Sequence, residues 1–249
     1  MDNFDPIEFE LFKNLFISIA EEMGAVLGRT ALSPNIKERK DFSCALFNGT
    51  GETFSQGSHI PVHLGAMPLS VQASLRTCSF YEDDLVILND PYQGGTHLPD
   101  ITCVSPVFIA SDLCFFVANR AHHSDVGGMS PGSMPLATEI FQEGLIIPPI
   151  KIINRGCLNQ DILDLILANV RTPDERKGDL LAQIAANAKG KQRLKDAVRK
   201  YGVNKLLRHG KLIQDYTERI LRKTIKDIPD GTYTFSDYMD NDGIVDSPI

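Results

Sequence analysis

Between residues 41 and 157 glycine and proline recur so densely that the chain is cut into short elements, and this limits the fold more than any other feature. Short apolar runs lie between the breaks. Residues 41–47 read as a strand, and Asn48-Gly49-Thr50-Gly51 as the turn after it. Residues 85–88, 102–109 and 113–119 read as further strands. Residues 107–116, interrupted by Ser111-Asp112, read as a hairpin, and residues 61–76 as a helix opened by Pro61. On both sides of this region the pattern is helical. Ile7, Leu11, Leu15, Ile19, Met23, Val26 and Leu27 recur at helical spacing over residues 7–32, after the cap-then-proline start Asp5-Pro6. Residues 161–170, 177–201 and 204–226 read as three more helices, with Pro173 and Gly202 as the breaks. Residues 232–239 alternate as a strand, and the sequence ends at Ile249 soon after Asp242-Gly243.

The expected fold class is α+β. It comprises an N-terminal helix, a Gly/Pro-rich mixed β region carrying the active-site loops, a helical segment, and the start of a further β section. The corresponding regions are residues 1–158, 159–227 and 228–249, the last read as cut short within a larger fold.

Charge narrows the partners. The chain has 25 Lys and Arg against 32 Asp and Glu, a net charge of −7. Phosphate-backbone binding depends on Lys and Arg displacing counterions, so no nucleic-acid partner is expected. The basic residues between 171 and 226 alternate with acidic and apolar ones, as on a solvated helix face. The run from Leu145 to Ile153 is too short for a membrane span and holds two prolines and a lysine, so no membrane partner is expected either. Asp2, Asp5, Glu8 and Glu10 give the N-terminus the wrong charge for a secretory or transit signal. Five cysteines without a CxxC pair read as small buried hydrophobes in a reducing compartment. The expectation is a cytoplasmic protein.

Chemistry concentrates in two stretches, each just after an expected strand. The first is Asn89-Asp90-Pro91-Tyr92-Gln93-Gly94-Gly95-Thr96-His97-Leu98-Pro99-Asp100. The second is Ala121-His122-His123-Ser124-Asp125-Val126-Gly127-Gly128. Glycines turn the backbone tightly and prolines fix it, so polar side chains can converge without a helix. Loops leaving the same ends of neighbouring strands would bring His97, Asp100 and His122 together. Two imidazoles and a carboxylate suit Zn²⁺, Mn²⁺ or Fe²⁺ with positions left for water or substrate. Asp90, His123 and Asp125 would stand behind the ligands and orient them. The plainer alternative is that these polar residues only stabilise turns.

Gln56-Gly57-Ser58-His59-Ile60-Pro61-Val62-His63 is a weaker cluster. Pro61 argues against a helix through His59, so the two histidines are no zincin-type pair, though one of them could face the same cleft. Gly128-Met129-Ser130-Pro131-Gly132 has the letters of a nucleophile elbow. It fails because Pro131 lacks the N–H that the oxyanion would need. Gly24 to Thr30 lacks the spacing of a phosphate loop, so the chain offers no ATP site of its own.

The two loop stretches resemble the hydantoinase B/oxoprolinase family. Asp5-Pro6-Ile7-Glu8, Glu38-Arg39-Lys40-Asp41-Phe42-Ser43-Cys44, residues 56–65, Asn169-Val170-Arg171-Thr172-Pro173-Asp174-Glu175-Arg176-Lys177-Gly178-Asp179 and Ile228-Pro229-Asp230-Gly231-Thr232-Tyr233 add to the resemblance. It covers nearly the whole chain. It implies the metal-bearing B-type subunit of an ATP-dependent cyclic amide hydrolase of the hydantoinase or 5-oxoprolinase kind. ATP would be used on a companion A-type ATPase subunit, and a divalent metal (Zn, Mn or Fe) would sit on His97, Asp100 and His122, with His123 the rival to His122. Asp90 or His123 would relay a proton. The family also contains subunits of acetone and acetophenone carboxylases, which form the alternative activity. Family members continue beyond Asp240-Asn241-Asp242-Gly243 into a glycine-rich β section. A separate chain supplying that C-terminal half is therefore one expected partner, and a non-catalytic piece acting in subunit assembly is the other reading.

Overall fold

The structure, a computed structural model, describes residues 5–238. Asp5 accepts hydrogen bonds from the amides of Ile7 and Glu8, and with Pro6 in the first turn it starts helix α1, Pro6–Thr30. The buried stripe of α1 is Phe9, Phe12, Phe16, Ile19, Met23 and Leu27. Ile7 and Leu11, expected on that stripe, are exposed. The helical period is as expected, but the phenylalanines, with more apolar surface to hide, turn the face towards themselves.

After the short helix α2, Pro34–Lys37, the chain enters the sheet. Its strands are β1 (Phe42–Asn48), β2 (Thr53–Gln56), β3 (Leu85–Leu88), β4 (Asp100–Ile109), β5 (Asp112–His122), β6 (Ile150–Asn154) and β7 (Cys157–Leu158). They lie in the order β2-β1-β5-β4-β3-β6-β7, every neighbouring pair antiparallel. Helix α3, Pro61–Thr77, crosses between β2 and β3 and covers one face. Its Met67, Val71 and Ala73 pack on Ala45, Phe47, Val86, Leu88, Val104, Phe116 and Ala118. The other face is covered by α1, α4 (Gln160–Ala168), α5 (Pro173–Tyr201) and α6 (Val203–Lys226). The sheet is thus buried on both sides, which is why its central strands read as continuous apolar runs. Pro173 opens α5 instead of only ending what precedes it.

Helix α5 grips the sheet through polar side chains on one buried stripe. Gln183 Nε2 donates to the Ile101 carbonyl and to Asn119 Oδ1, both at 2.9 Å. Asn187 Nδ2 donates to the Cys103 carbonyl at 3.1 Å, and Asn119 Nδ2 donates to Asn187 Oδ1 at 2.8 Å. One turn earlier, buried Asp179 accepts from the amides of Leu32 and Ser33 and pairs with buried Arg176, tying α5 to the end of α1. Gly190 lets the two helices touch, since a Cβ there would lie 2.4 Å from the Met23 sulfur.

Of the five cysteines, Cys44 and Cys103 are buried, Cys78 and Cys114 half-buried, and Cys157 exposed on β7, so only two fit the expected buried hydrophobe. The strand expected at residues 232–239 does not form over 232–238, and residue 239 onwards, with the Asp242-Gly243 turn, lies outside the described residues. Among the described residues no helix is long and apolar enough to cross a membrane.

Removing Asp179 leaves the Leu32 and Ser33 amides without this acceptor and the buried Arg176 guanidinium with only the partly exposed Glu175 carboxylate as an ion-pair partner among the described residues. Asp179→Ala is expected to cost about 3–5 kcal/mol in urea unfolding. Glu22→Gln, which breaks the exposed pairs to Lys189 and Arg193 between the same helices, is expected to cost under about 1 kcal/mol. Equal losses would refute the anchoring role of Asp179.

Candidate metal centre

Three neighbouring strand ends and one loop build the site. In the β4–β5 register Asp100 stands opposite His122. The His122 amide donates to the Asp41 carbonyl at 2.9 Å, just before β1 begins. Asp41, His122 and Asp100 therefore follow one another across the same end of the sheet. The loop from β3 to β4 carries His97 over this edge.

That loop is shaped by its own residues. Asn89 is buried and hydrogen-bonds the carbonyls of Leu98 and Leu145 and the amide of Ile147, at 2.7 to 2.9 Å. Asp90 caps the single 3-10 turn Pro91–Gln93, accepting from the Tyr92 amide and the Gln93 side chain, both at 2.9 Å. Gly94 has φ +91°, and a Cβ on it would lie 2.4 Å from the Leu69 backbone of α3. Its carbonyl accepts from Ser70 Oγ and, at 3.1 Å, from Arg120. The Arg120 guanidinium also reaches Thr102 Oγ1 and Ser70 Oγ, and is fully buried.

The result is a tight triangle. His97 Nε2 lies 2.9 Å from Asp100 Oδ1, His122 Nδ1 lies 3.2 Å from the same oxygen, and the two nitrogens are 3.2 Å apart. The other oxygen, Oδ2, accepts from Thr96 Oγ1 and faces His63 Nε2 at 3.5 Å. His63 also lies 3.5 Å from Asp41, and its Nδ1 is 3.3 Å from Ser43 Oγ. Asp100 and His63 are buried, and His97 is the most open of the group. Burial would push the Asp100 carboxyl up, but hydrogen bonds with His122, His63, His97 and Thr96 outweigh it and hold the group well below the usual carboxylate range. The hydrogen bond to Asp100 raises His97, against partial burial. The site opens into a pocket of about 500 Å³ lined also by Arg39, Ile60 and Val62.

Two imidazole nitrogens and one ionised carboxylate oxygen, all within 4.8 Å of one another, form a mixed donor set that could hold a divalent cation. The separations, close to 3 Å, let one small ion with bonds of about 2.0–2.2 Å touch all three.

The other three expected site residues have partners elsewhere. Asp90 is spent on the turn that it caps. His123 follows His122 in an extended segment, so its ring goes to the opposite face of the sheet, where it is fully buried and meets Gln183 Oε1 at 2.9 Å. Burial, reinforced by the Arg176 charge, pushes its imidazole down to about 4. Asp125 accepts from the Arg171 amide and guanidinium, the Gly127 amide and Ser133, joining its loop to the segment before α5. None of the hydrogen bonds or ion pairs of Asp90, His123 or Asp125 reaches His97, Asp100 or His122. His59, on the far side of Ile60, packs over α1 and accepts from the Cys44 amide.

Sequence reasoning passes over Asp41, Thr96 and Arg120, and leaves His63 as one of two. A signal for Arg120 is present: a lone cation inside the apolar run 115–121 has to be buried and therefore paired.

The sequence matches the family model for hydantoinase B/oxoprolinase over residues 5–249. The chain belongs to the hydantoinase B/oxoprolinase family. It is 38% identical to 5-oxoprolinase 1 of Arabidopsis thaliana over 239 residues, 90% of this chain and 19% of that protein. It is 34% identical to the putative B-type subunit of a D-/L-hydantoinase from Pseudomonas sp. strain NS671 over 251 residues, 98% of this chain and 42% of the other. Among solved structures, the ATP-dependent caprolactamase of Pseudomonas jessenii superposes with a TM-score of 0.85 at 32% identity, covering 92% of this chain and 40% of that one. This member of the family thus spans under half the length of each of these three relatives.

Gly94→Ala should test how the loop holds His97 without touching a ligand. It is expected to cost about 1–3 kcal/mol in thermal unfolding, because alanine at that φ is strained and meets α3. Gly132→Ala, also at positive φ but with open space around it, is expected to cost less. An equal or larger loss at Gly132 would show that contact with α3 is not what fixes the loop.

Proposed function

We propose that this chain is the metal-bearing B-type part of an ATP-dependent cyclic amide hydrolase of the hydantoinase or 5-oxoprolinase kind. The observation that carries the reading is the convergence of His97, Asp100 and His122 on one point at the mouth of a pocket. Those three residues would hold a divalent metal (Zn, Mn or Fe). When bound, such a metal supplies carbonyl polarisation or a water acidic enough to attack near neutral pH.

The chain's own residues then have definable tasks. Asp100, kept ionised by its neighbours, binds the cation and lowers the cost of a double charge in a half-buried place. His63 stands between Asp41 and Asp100 with Nε2 3.5 Å from each, and is better placed than Asp90 or His123 to take or return a proton. Asp90 acts on the site through the loop that it caps, and Arg120 braces the same loop from below. ATP would be consumed on an A-type ATPase partner, which fits a relative described as the B-type component of a hydantoinase. The portion of the relatives that this chain does not span would come from a further polypeptide segment. The working place of the assembly would be the cytoplasm.

Elemental analysis of purified protein provides the test. One divalent ion per chain is expected, lost in His97→Ala and His122→Ala, and retained in Asp90→Asn. His63→Ala should weaken metal affinity about tenfold, as loss of a residue behind a ligand does. Sub-stoichiometric metal unchanged by the first two substitutions would remove the metal centre. With an A-type subunit co-expressed, ATP-dependent opening of 5-oxoproline or a hydantoin is expected. Carboxylation of acetone with bicarbonate, without amide hydrolysis, would instead assign the carboxylase branch.

A further inference from the structure

On the face of the sheet away from His122, a small cavity lies between α5 and the segment that follows β5. Its wall is mostly apolar, with Ile101, Ile147 and Leu180 in it, but His123, Asp125 and Arg176 line it too. His123 and Arg176 are fully buried. Three of their polar atoms, His123 Nδ1 and Arg176 Nε and Nη1, have no hydrogen-bond partner among the described residues. Buried polar groups are nearly always paired, so three orphans on two residues of one cavity require a physical account.

The surrounding bonds fix which of these atoms give a hydrogen and which take one. Asn119 Nδ2 donates to the Gln183 carbonyl and to Asn187 Oδ1, which turns Asn119 Oδ1 towards Gln183. Gln183 Nε2 donates to that oxygen and to the Ile101 carbonyl. Gln183 Oε1 is then the end that faces His123, so His123 Nε2 carries the hydrogen between them. Burial and the Arg176 charge keep the ring neutral, which leaves Nδ1 a bare acceptor. Arg176 Nη2 is spent on Glu175 and Asp179, while Nε and Nη1 can only donate. Asp125 Oδ2 accepts from the Arg171 amide and has a lone pair to spare.

The cavity thus presents donors from α5 and acceptors from the segment after β5. A dry cavity with unpaired groups is the plainer alternative, and it leaves this complementarity without a cause. An anion would meet the bare Nδ1 and a carboxylate, and a cation would meet the guanidinium. Water alone of the common small species both accepts and donates. The space open to a water-sized sphere is about 10 Å³, which is close to what one molecule needs.

We infer that one water molecule is bound in this cavity, accepting from Arg176 and donating to His123 Nδ1 and to the Asp125 carboxylate. It ties α5 to the residue next to His122 from the side away from the pocket. The inference stands on the cavity and its hydrogen-bond network, whatever His97, Asp100 and His122 hold.

A crystal structure fine enough to place ordered solvent reads the site directly. One density peak is expected at about 2.7–3.2 Å from both an Arg176 nitrogen and His123 Nδ1. Nitrogen-15 NMR of histidine-labelled protein should show the His123 ring with its hydrogen on Nε2. Asparagine sets an oxygen near the place of Nδ1, so His123→Asn should keep the peak. Glutamine reaches only the place of Nε2, so His123→Gln should lose it while still meeting Gln183. If either variant fails to fold, the peak and the ring hydrogen of the unsubstituted protein still decide. No peak within reach of both atoms, or a hydrogen on Nδ1 with Nε2 bare, overturns the proposal. So does the reverse pattern in the two variants. Anomalous scattering from bromide at the site in soaked crystals would overturn it as well, by making the cavity an anion site.

Discussion

The pairing of β4 with β5 decides where everything else in the molecule stands. Asp100 faces His122, Thr102 faces Arg120 and Val104 faces Ala118, so one side of this ribbon carries Asp100, His122 and the Arg120 guanidinium beneath them towards α3. The other side presents Ile101, Cys103, Asn119 and Ala121 to α1 and α5. A slip of one residue would exchange the two sets, turning a buried carboxylate into the helical layer and apolar side chains into the pocket. Both faces are covered, so the penalty falls on both, and the register is strongly specified.

The ribbon is held from behind as well as from its sides. Gln183 and Asn187 reach across from α5 to the carbonyls of Ile101 and Cys103, immediately beyond Asp100. Buried amides satisfied in this way favour one arrangement over its neighbours, because any shift leaves donors without acceptors in a place that water does not reach. In front, Arg120 ties β5 to the carbonyl of Gly94, and so fixes the loop that delivers His97. The triangle of His97, Asp100 and His122 is therefore backed by rigid elements on two sides, while its open side leads to the pocket.

Local rules are enough for the long elements. The Asp5-Pro6 start, the Gly202 break and the alternation around Ser111-Asp112 each act within a few residues, and helices α1, α5 and α6 and the β4–β5 hairpin follow from them. Strands β2, β6 and β7 escape because they are short and exist by virtue of pairing with a neighbour. The apolar pattern places the start of α5 four residues after Pro173, because Arg176 and Asp179 are polar residues buried by a tertiary contact that no periodicity reveals. On α1 the same limit shows as a rotation: spacing gives the period of a stripe, but which of two overlapping stripes is buried depends on what it meets.

By itself the sequence determined the alternation of helical and strand-rich regions, the family, and the two loops from which His97, Asp100 and His122 come. These depend on backbone preferences and on residue types close together along the chain. Only the tertiary structure decided that His122 and not His123 turns to His97 and Asp100, that Asp90 and Asp125 are occupied in holding their own loops, and that His63 and Asp41 stand beside them from α3 and the residue before β1. The physical reason is that these choices depend on which face of a paired strand is covered by which helix, a relation between segments more than twenty residues apart that no local pattern encodes.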